Sequence, residues 1–166
     1  MAHQYDFEFE KFLEPLVKID AKQTVEYIMQ RFGRIKNLNI VSSCVEILGK
    51  QEESLFKFLH EVWKKEPKKA EEYADLLVHY YIQFDSQFLL EFLKKSEKYS
   101  IPLATRKCEL AGLKLAQAYL LAKSGAAEQA IQILCNQHAE LSVREMIERA
   151  QDFAVNDDRM LQQLVL

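Results

Sequence analysis

The sequence predicts an all-α chain, an α-solenoid of stacked antiparallel helical hairpins, on three observations. Apolar residues recur at i, i+3, i+4 and i+7 through most of the chain, the spacing of one helix face. Only 4 Gly and 3 Pro punctuate 166 residues, too few for the turns of a many-stranded β fold. A hydrophobic-x-x-Phe-Leu pattern occurs at Phe9 to Leu13, Leu55 to Leu59 and Leu89 to Leu93, and the last two copies start 34 residues apart, a period that suits stacked helix pairs. At this length the chain is a single segment rather than two full domains. Its 49% apolar residues can fill a core that needs no disulfide or metal to hold it.

The elements follow in order. Asp20-Ala-Lys-Gln23 resembles a capping box, Val25, Ile28, Met29 and Phe32 follow at helical spacing, and Gly33 stands where a left-handed C-cap would close the helix. After Asn39, Ile40, Val41, Cys44, Val45 and Leu48 form the stripe of a second helix that stops at Gly49, so the two read as an αα-hairpin. Leu55, Phe56, Phe58, Leu59, Val62 and Trp63 make a third helix, ended before Pro67 because the residue preceding proline is pushed out of helical dihedrals. Its partner carries Tyr73, Leu76, Leu77, Tyr80, Tyr81 and Phe84.

Asp85 caps a helix bearing Phe88, Leu89, Phe92 and Leu93, and Ser100 precedes one with Pro102 in its first turn, where a missing N–H does no harm. Gly112 breaks or loosens that helix early. Leu115, Ala116, Tyr119 and Leu120 then lead to a turn at Gly125, and Ala127, Ala130, Ile131 and Leu134 return on a further helix. Ser142 with Glu145 forms a second capping box, opening a helix with Met146, Ile147, Ala150 and Phe153, before Met160, Leu161, Leu164 and Val165. The reading is of about ten or eleven short helices and no strand. A chain that ends on three apolar residues without a cap is expected to be a piece of a longer solenoid, able to self-associate through its exposed ends.

Chemistry is sparse in the sequence. A net charge of -3, from 22 basic and 25 acidic side chains, leaves no field to hold a phosphate backbone, so no nucleic-acid partner is expected. Cys44, Cys108 and Cys135 are odd in number and lack CxxC spacing, which fits a reducing cytosol, and each reads as lying on or beside an apolar stripe. His3, His60, His79 and His138 form no HExxH or similar pair, and the glycines stand alone with no phosphate-binding pattern. No nucleophile, cofactor or metal ligand is nominated, and no enzyme is expected. Lys64, Lys65, Lys68 and Lys69 around Pro67 are the one basic patch, a candidate contact for a lipid headgroup or acidic partner, though Glu61, Glu66, Glu71 and Glu72 interleave it. The aromatic series Tyr73, Tyr80, Tyr81, Phe84, Phe88 and Phe92 reads as core packing. Leu89, Phe92, Leu93, Tyr99, Tyr119, Leu120, Gly125, Ala130 and Ile131 are the expected hairpin core.

The run Leu89-Leu-Glu-Phe-Leu-Lys-Lys-Ser-Glu-Lys-Tyr99, then Pro102-Leu-Ala and Cys108, then Tyr119-Leu-Leu-Ala-Lys-Ser-Gly125 and Ala130-Ile-Gln-Ile, resembles the clathrin heavy-chain repeat. It resembles most closely that repeat in the vacuolar protein sorting subunits of the HOPS and CORVET tethering complexes, the HOPS-specific subunit above all. Asp20 to Glu26, Phe58-Leu, Lys64-Lys-Glu-Pro67, Glu72 to Val78, Tyr81, Phe84-Asp85 and Ala150 to Asp158 fall in the same order, so the likeness covers about residue 10 to the end. Ala122-Lys-Ser departs from the family's usual Arg before a Met-Gly turn, and Cys135 to Val143 looks longer than its usual connection.

The resemblance implies a superhelix of the tetratricopeptide kind and a non-catalytic scaffold in membrane tethering and vesicle transport. Its partners would be other tethering subunits or coat and adaptor proteins. It would sit in the cytoplasm, indirectly attached to late endosome, lysosome or vacuole membranes. Two rivals stand beside it: a stand-alone tetratricopeptide-like adaptor gripping a short peptide, for which Tyr119, Gly125 and Ala130 would serve, and a small α-helical enzyme or metal protein using His60, His79 or His138.

Overall fold

The structure is a computed structural model that describes residues 3–32 and 40–136, with side chains described for 11–31 and 40–136. Every regular element among the described residues is helical, and the fold class is all-α. The chain divides into two compact units, Met1–Phe84 and Asp85–Leu166.

In the first unit, α1 (His3–Phe32) is two helical limbs joined at Asp20, whose φ of −154° and ψ of 95° leave the helix. The capping box explains the break. The Gln23 N–H donates to Asp20 Oδ1 at 2.9 Å, and the Thr24 hydroxyl donates to the Asp20 carbonyl at 2.7 Å, so the second limb starts on Asp20 as its sequence predicts. The limb before it, with Pro15 inside, was not foreseen as a helix. Pro15 has no N–H to give and loosens this limb shortly before the break. α2 (Ile40–Leu48) and α3 (Glu52–Lys65) both pack on α1, and α5 (Ala74–Phe84) packs on α3.

The core of this unit is Leu13, Val17, Val25 and Ile28 from α1, Val41, Cys44 and Leu48 from α2, Leu55 to Trp63 on the stripe of α3, and Leu77, Val78, Tyr80 and Tyr81 from α5. Each fully buried large side chain contributes about 1.5–3 kcal/mol. α3 ends at Glu66 (φ −137°, ψ 76°), driven out of the helix by Pro67, which opens the short α4 (Pro67–Ala70) and a 3-10 turn (Glu71–Tyr73). Of the predicted α5 stripe, Tyr73 and Leu76 are half-buried and Phe84 is exposed, while Val78 takes a core place instead.

The second unit holds α6 (Ser86–Lys95), α7 (Ile101–Leu110), α8 (Lys114–Lys123) and α9 (Ala127–Asn136). Asp85 caps α6, accepting from the Phe88 N–H at 3.3 Å. Ser100 makes no side-chain cap bond, and its carbonyl instead accepts from Ala104 N at 2.9 Å. Gly112 (φ +70°) does more than loosen α7. Leu113 N bonds Cys108 O at 2.9 Å and Gly112 N bonds Glu109 O at 3.1 Å, the paired bonds of a Schellman cap. Gly125 (φ +87°) repeats it after α8 through Ala126 N to Leu121 O and Gly125 N to Ala122 O. The two caps turn α7 onto α8 and α8 onto α9, and α6 packs on α8. Gly33, Asn39 and everything predicted from Ser142 to Val165 lie outside the described residues.

Candidate functional site

The basic patch is drawn together by the end of α3 and by α4, but its charge is largely matched. Lys65 Nζ lies 2.6 Å from Glu26 Oε1 on α1, Lys69 Nζ 2.9 Å from Glu66 Oε2, and Lys64 Nζ 3.5 Å from Glu61 Oε1. Lys68 is exposed and makes no ion pair among the described residues. The hydrogen bond and charge of Lys65 hold the Glu26 carboxyl below its ordinary range. Three of the four cations are therefore spent on neighbouring carboxylates, and the lysine run does not present a concentrated positive surface.

The predicted hairpin core is largely assembled in the second unit. Leu89, Phe92, Leu93, Tyr99, Tyr119, Leu120 and Ala130 are buried. Ile131 is only half-buried, and Gly125 is exposed rather than part of the core, because the left-handed residue of a helix cap must stand at the turn itself.

A polar clamp that the sequence did not reveal joins these side chains. Leu93 is in the last turn of α6, where carbonyls have no helical partner. Tyr99 Oη donates to Leu93 O at 2.8 Å, and Tyr119 Oη approaches the same oxygen at 3.5 Å. Lys123 Nζ donates to Tyr99 Oη at 3.0 Å and reaches Ser96 O at 3.5 Å, lying 4.9 Å from the Tyr99 ring centre and 5.9 Å from that of Tyr119. Burial raises the Tyr99 phenol, with Tyr119, Cys108 and Glu97 adding to the effect. Burial likewise raises Tyr119 and lowers Lys123, Glu97 opposing the latter. The one signal in the sequence was that Tyr119 and Lys123 are four apart and share a helix face.

In the first unit His60 Nδ1 lies 2.7 Å from Tyr81 Oη, both rings meet Phe56, and Phe56 in turn meets Tyr80 and Phe84. The histidine is thus a bonded part of an aromatic core. His79 is half-buried against Tyr80, and His138 lies outside the described residues. Cys44 and Cys108 are buried, and burial pushes the Cys108 thiol up to about 11. Cys135 is exposed and so stands beside its stripe rather than filling core space: α9 turns Ala130 and Leu134 inward, and position 135 faces away from them. Among the described residues no cluster of His, Cys, Asp and Glu could hold a metal, and no helix is long and apolar enough to cross a membrane.

One surface feature stands apart from both polar groups. Phe12, Leu16, Ile19, Asp20, Gln23, Thr24 and Tyr27, all on α1, line a cleft of about 500 Å³.

What these surfaces offer is contact between helices, and the comparison with known proteins gives the same picture a lineage. The Vps41 TPR-like region matches residues 3–165. The chain belongs to that family. Its relatives include the vacuolar protein sorting-associated protein 41 homologs of Solanum lycopersicum, 28% identical over 94% of this chain, and of Danio rerio, 25% identical over 88%. The Homo sapiens homolog is 22% identical over 86%. In each case the chain spans about 16% of the length of the curated relative it matches. No solved structure matches it significantly. In this member of the Vps41 TPR-like family, the Schellman caps turn successive helices onto each other and the clamp ties α6 to α8.

Proposed function

We propose that the chain is a single α-solenoid segment, 1–166 with its clathrin-repeat-like part from residue 10, of a longer endolysosomal tethering subunit of the HOPS or CORVET kind. It acts without catalysis as a scaffold for protein–protein assembly, in the cytoplasm and on late endosome, lysosome or vacuole membranes through other proteins. The match of residues 3–165 to the Vps41 TPR-like region carries this reading. The physical basis is that hairpins without independent cores bury their apolar faces on neighbours and leave long lateral surfaces for other subunits or coat and adaptor proteins. Exposed ends of such a stack also allow self-association. The test is affinity isolation of the full-length parent from its own cells followed by mass spectrometry. Stoichiometric recovery of other tethering subunits is the expected result, and their absence from an intact, expressed parent overturns the reading.

A further inference from the structure

The second unit turns its large apolar side chains inward except on one helix. Among its described residues the exposed large hydrophobics are Leu103 and Leu110, at 43% and 78%, and both belong to α7. Ala104 and Cys108, on the other side of that helix, are buried and face its own unit. The Schellman cap at Gly112 uses neither leucine, because its apolar contact joins the third residue from the helix end to the residue after the glycine, here Cys108 and Leu113. Leu103 and Leu110 stand two turns apart, about 10 Å along the axis, and share one face.

Cations lie between them. Arg106 is three residues after Leu103 and Lys107 three before Leu110, so both flank the leucines on that face. From Lys98 to Lys114 the chain carries Lys98, Arg106, Lys107 and Lys114 against the single carboxylate of Glu109. None of these five side chains makes an ion pair or hydrogen bond among the described residues. Glu97, just before them, acts on Lys123 in the clamp. The lysine run around Pro67 is matched by carboxylates, whereas α7 keeps uncompensated positive charge in a chain of net charge -3.

We infer that the outer face of α7 is a docking site for an acidic amphipathic helix of a protein partner, with apolar side chains on Leu103 and Leu110 and carboxylates against Arg106 and Lys107. Two leucines make too narrow a face to sink a helix into a bilayer, which takes a broad apolar side. They match a helix laid alongside that offers apolar residues seven apart with acids between, and the charges select it. The inference rests on the assembly reading and supplies one contact surface for it.

The test uses the full chain and two fluorescent synthetic helices of about 18 residues sharing a leucine stripe, one flanked by glutamates and one by lysines. Anisotropy titration at low salt is expected to give a Kd at least about tenfold tighter for the glutamate helix, against the direction that the net charge of the chain alone would favour. Leu110→Asp, at a position open enough to leave the core intact, should weaken that binding about tenfold or more. Arg106→Glu combined with Lys107→Glu should reverse the preference, while Lys68→Glu on the other lysine run leaves it unchanged. Equal binding of both helices, a preference untouched by the α7 variants, an equal loss in Lys68→Glu, or no binding at all overturns the site. So does co-sedimentation with phosphatidylserine vesicles that is lost in Leu110→Asp while neither helix binds, which would make a lipid surface the occupant. The titration is independent of the isolation experiment above: missing tethering subunits overturn the assembly reading, whereas a lost glutamate preference overturns this site with the assembly intact.

Discussion

In α6 the repeated Phe-Leu pair is wholly enclosed, Phe92 and Leu93 both at 0% exposure, whereas in α1 Leu13 is at 0% and Phe12 at 59%. The same two residue types at the same spacing meet different neighbours. α6 packs against α8, whose Tyr119 closes over its C-terminal turn and shares Leu93 O with Tyr99. α1 is covered by α2 and α3 on the Leu13 side, and its Phe12 side faces the cleft. A repeated pattern therefore marks which helix faces are sticky, but the number of flanks that are covered depends on which elements arrive.

Substitution at the paired positions tests this difference most severely. Phe92→Ala should cost about 3–5 kcal/mol through lost burial and the cavity left behind, while Phe12→Ala stays within about 0.5 kcal/mol. Leu120→Asp, placing a charge at a fully buried site, should cost several kcal/mol or prevent folding. Chemical denaturation of the three variants measures the contrast, and equal losses at positions 12 and 92 would erase the distinction between the helices.

The clamp at the end of α6 has no counterpart among the described side chains of α1 and should add a smaller increment. Tyr99→Phe removes the donor to Leu93 O and the acceptor for Lys123, and should cost about 1–2 kcal/mol. The raised phenols of Tyr99 and Tyr119 also set a pH dependence. A group with a raised folded pKa contributes stability that is fully present below its unfolded value and lost as pH rises through the folded one. Melts taken from pH 9 upward should therefore show stability falling from the ordinary phenol value of 10.0, and less steeply in Tyr99→Phe.

Backbone geometry comes next. Gly125→Ala meets no atom within contact distance but forces φ of +87° on an L side chain, and should cost about 1 kcal/mol in a thermal melt. A neutral result would mean that the α8–α9 turn tolerates another cap.

The smallest effect belongs to α1. Lys65→Gln should return the Glu26 carboxyl toward its ordinary value with little change in melting temperature, because the pair is solvent-screened. The depressed Glu26 value gives a contribution present above the unfolded carboxylate pKa and lost as pH falls through the folded one. Carboxyl NMR titration of both proteins reads the shift, and an unmoved Glu26 would show that Lys65 is not its cause.

Most helices of the described residues were legible because their signals are local. Asp20 and Asp85 each carry a cap acceptor three residues before the amide they bind, and Pro67 ends α3 through the clash proline makes with the residue before it. The limb of α1 before Asp20 was missed because Pro15 and mixed polarity hide its period, and Gly112 was underrated because a Schellman cap shows itself only in its paired bonds.

The candidate surfaces were harder to see. The lysine run around Pro67 reads as positive in sequence, but its balance is settled in part by Glu26, 39 residues away from Lys65. The Tyr99–Lys123 clamp likewise bridges 24 residues.

What the amino-acid order by itself determined is which segments coil, where they start and stop, and which side of each is apolar, since all of these depend on residues within a turn or two. Which apolar sides find cover, which cations meet carboxylates and which carbonyls gain tyrosine donors was decided only when distant helices met, because burial and charge pairing are properties of the packed neighbourhood and not of a residue's place in the chain.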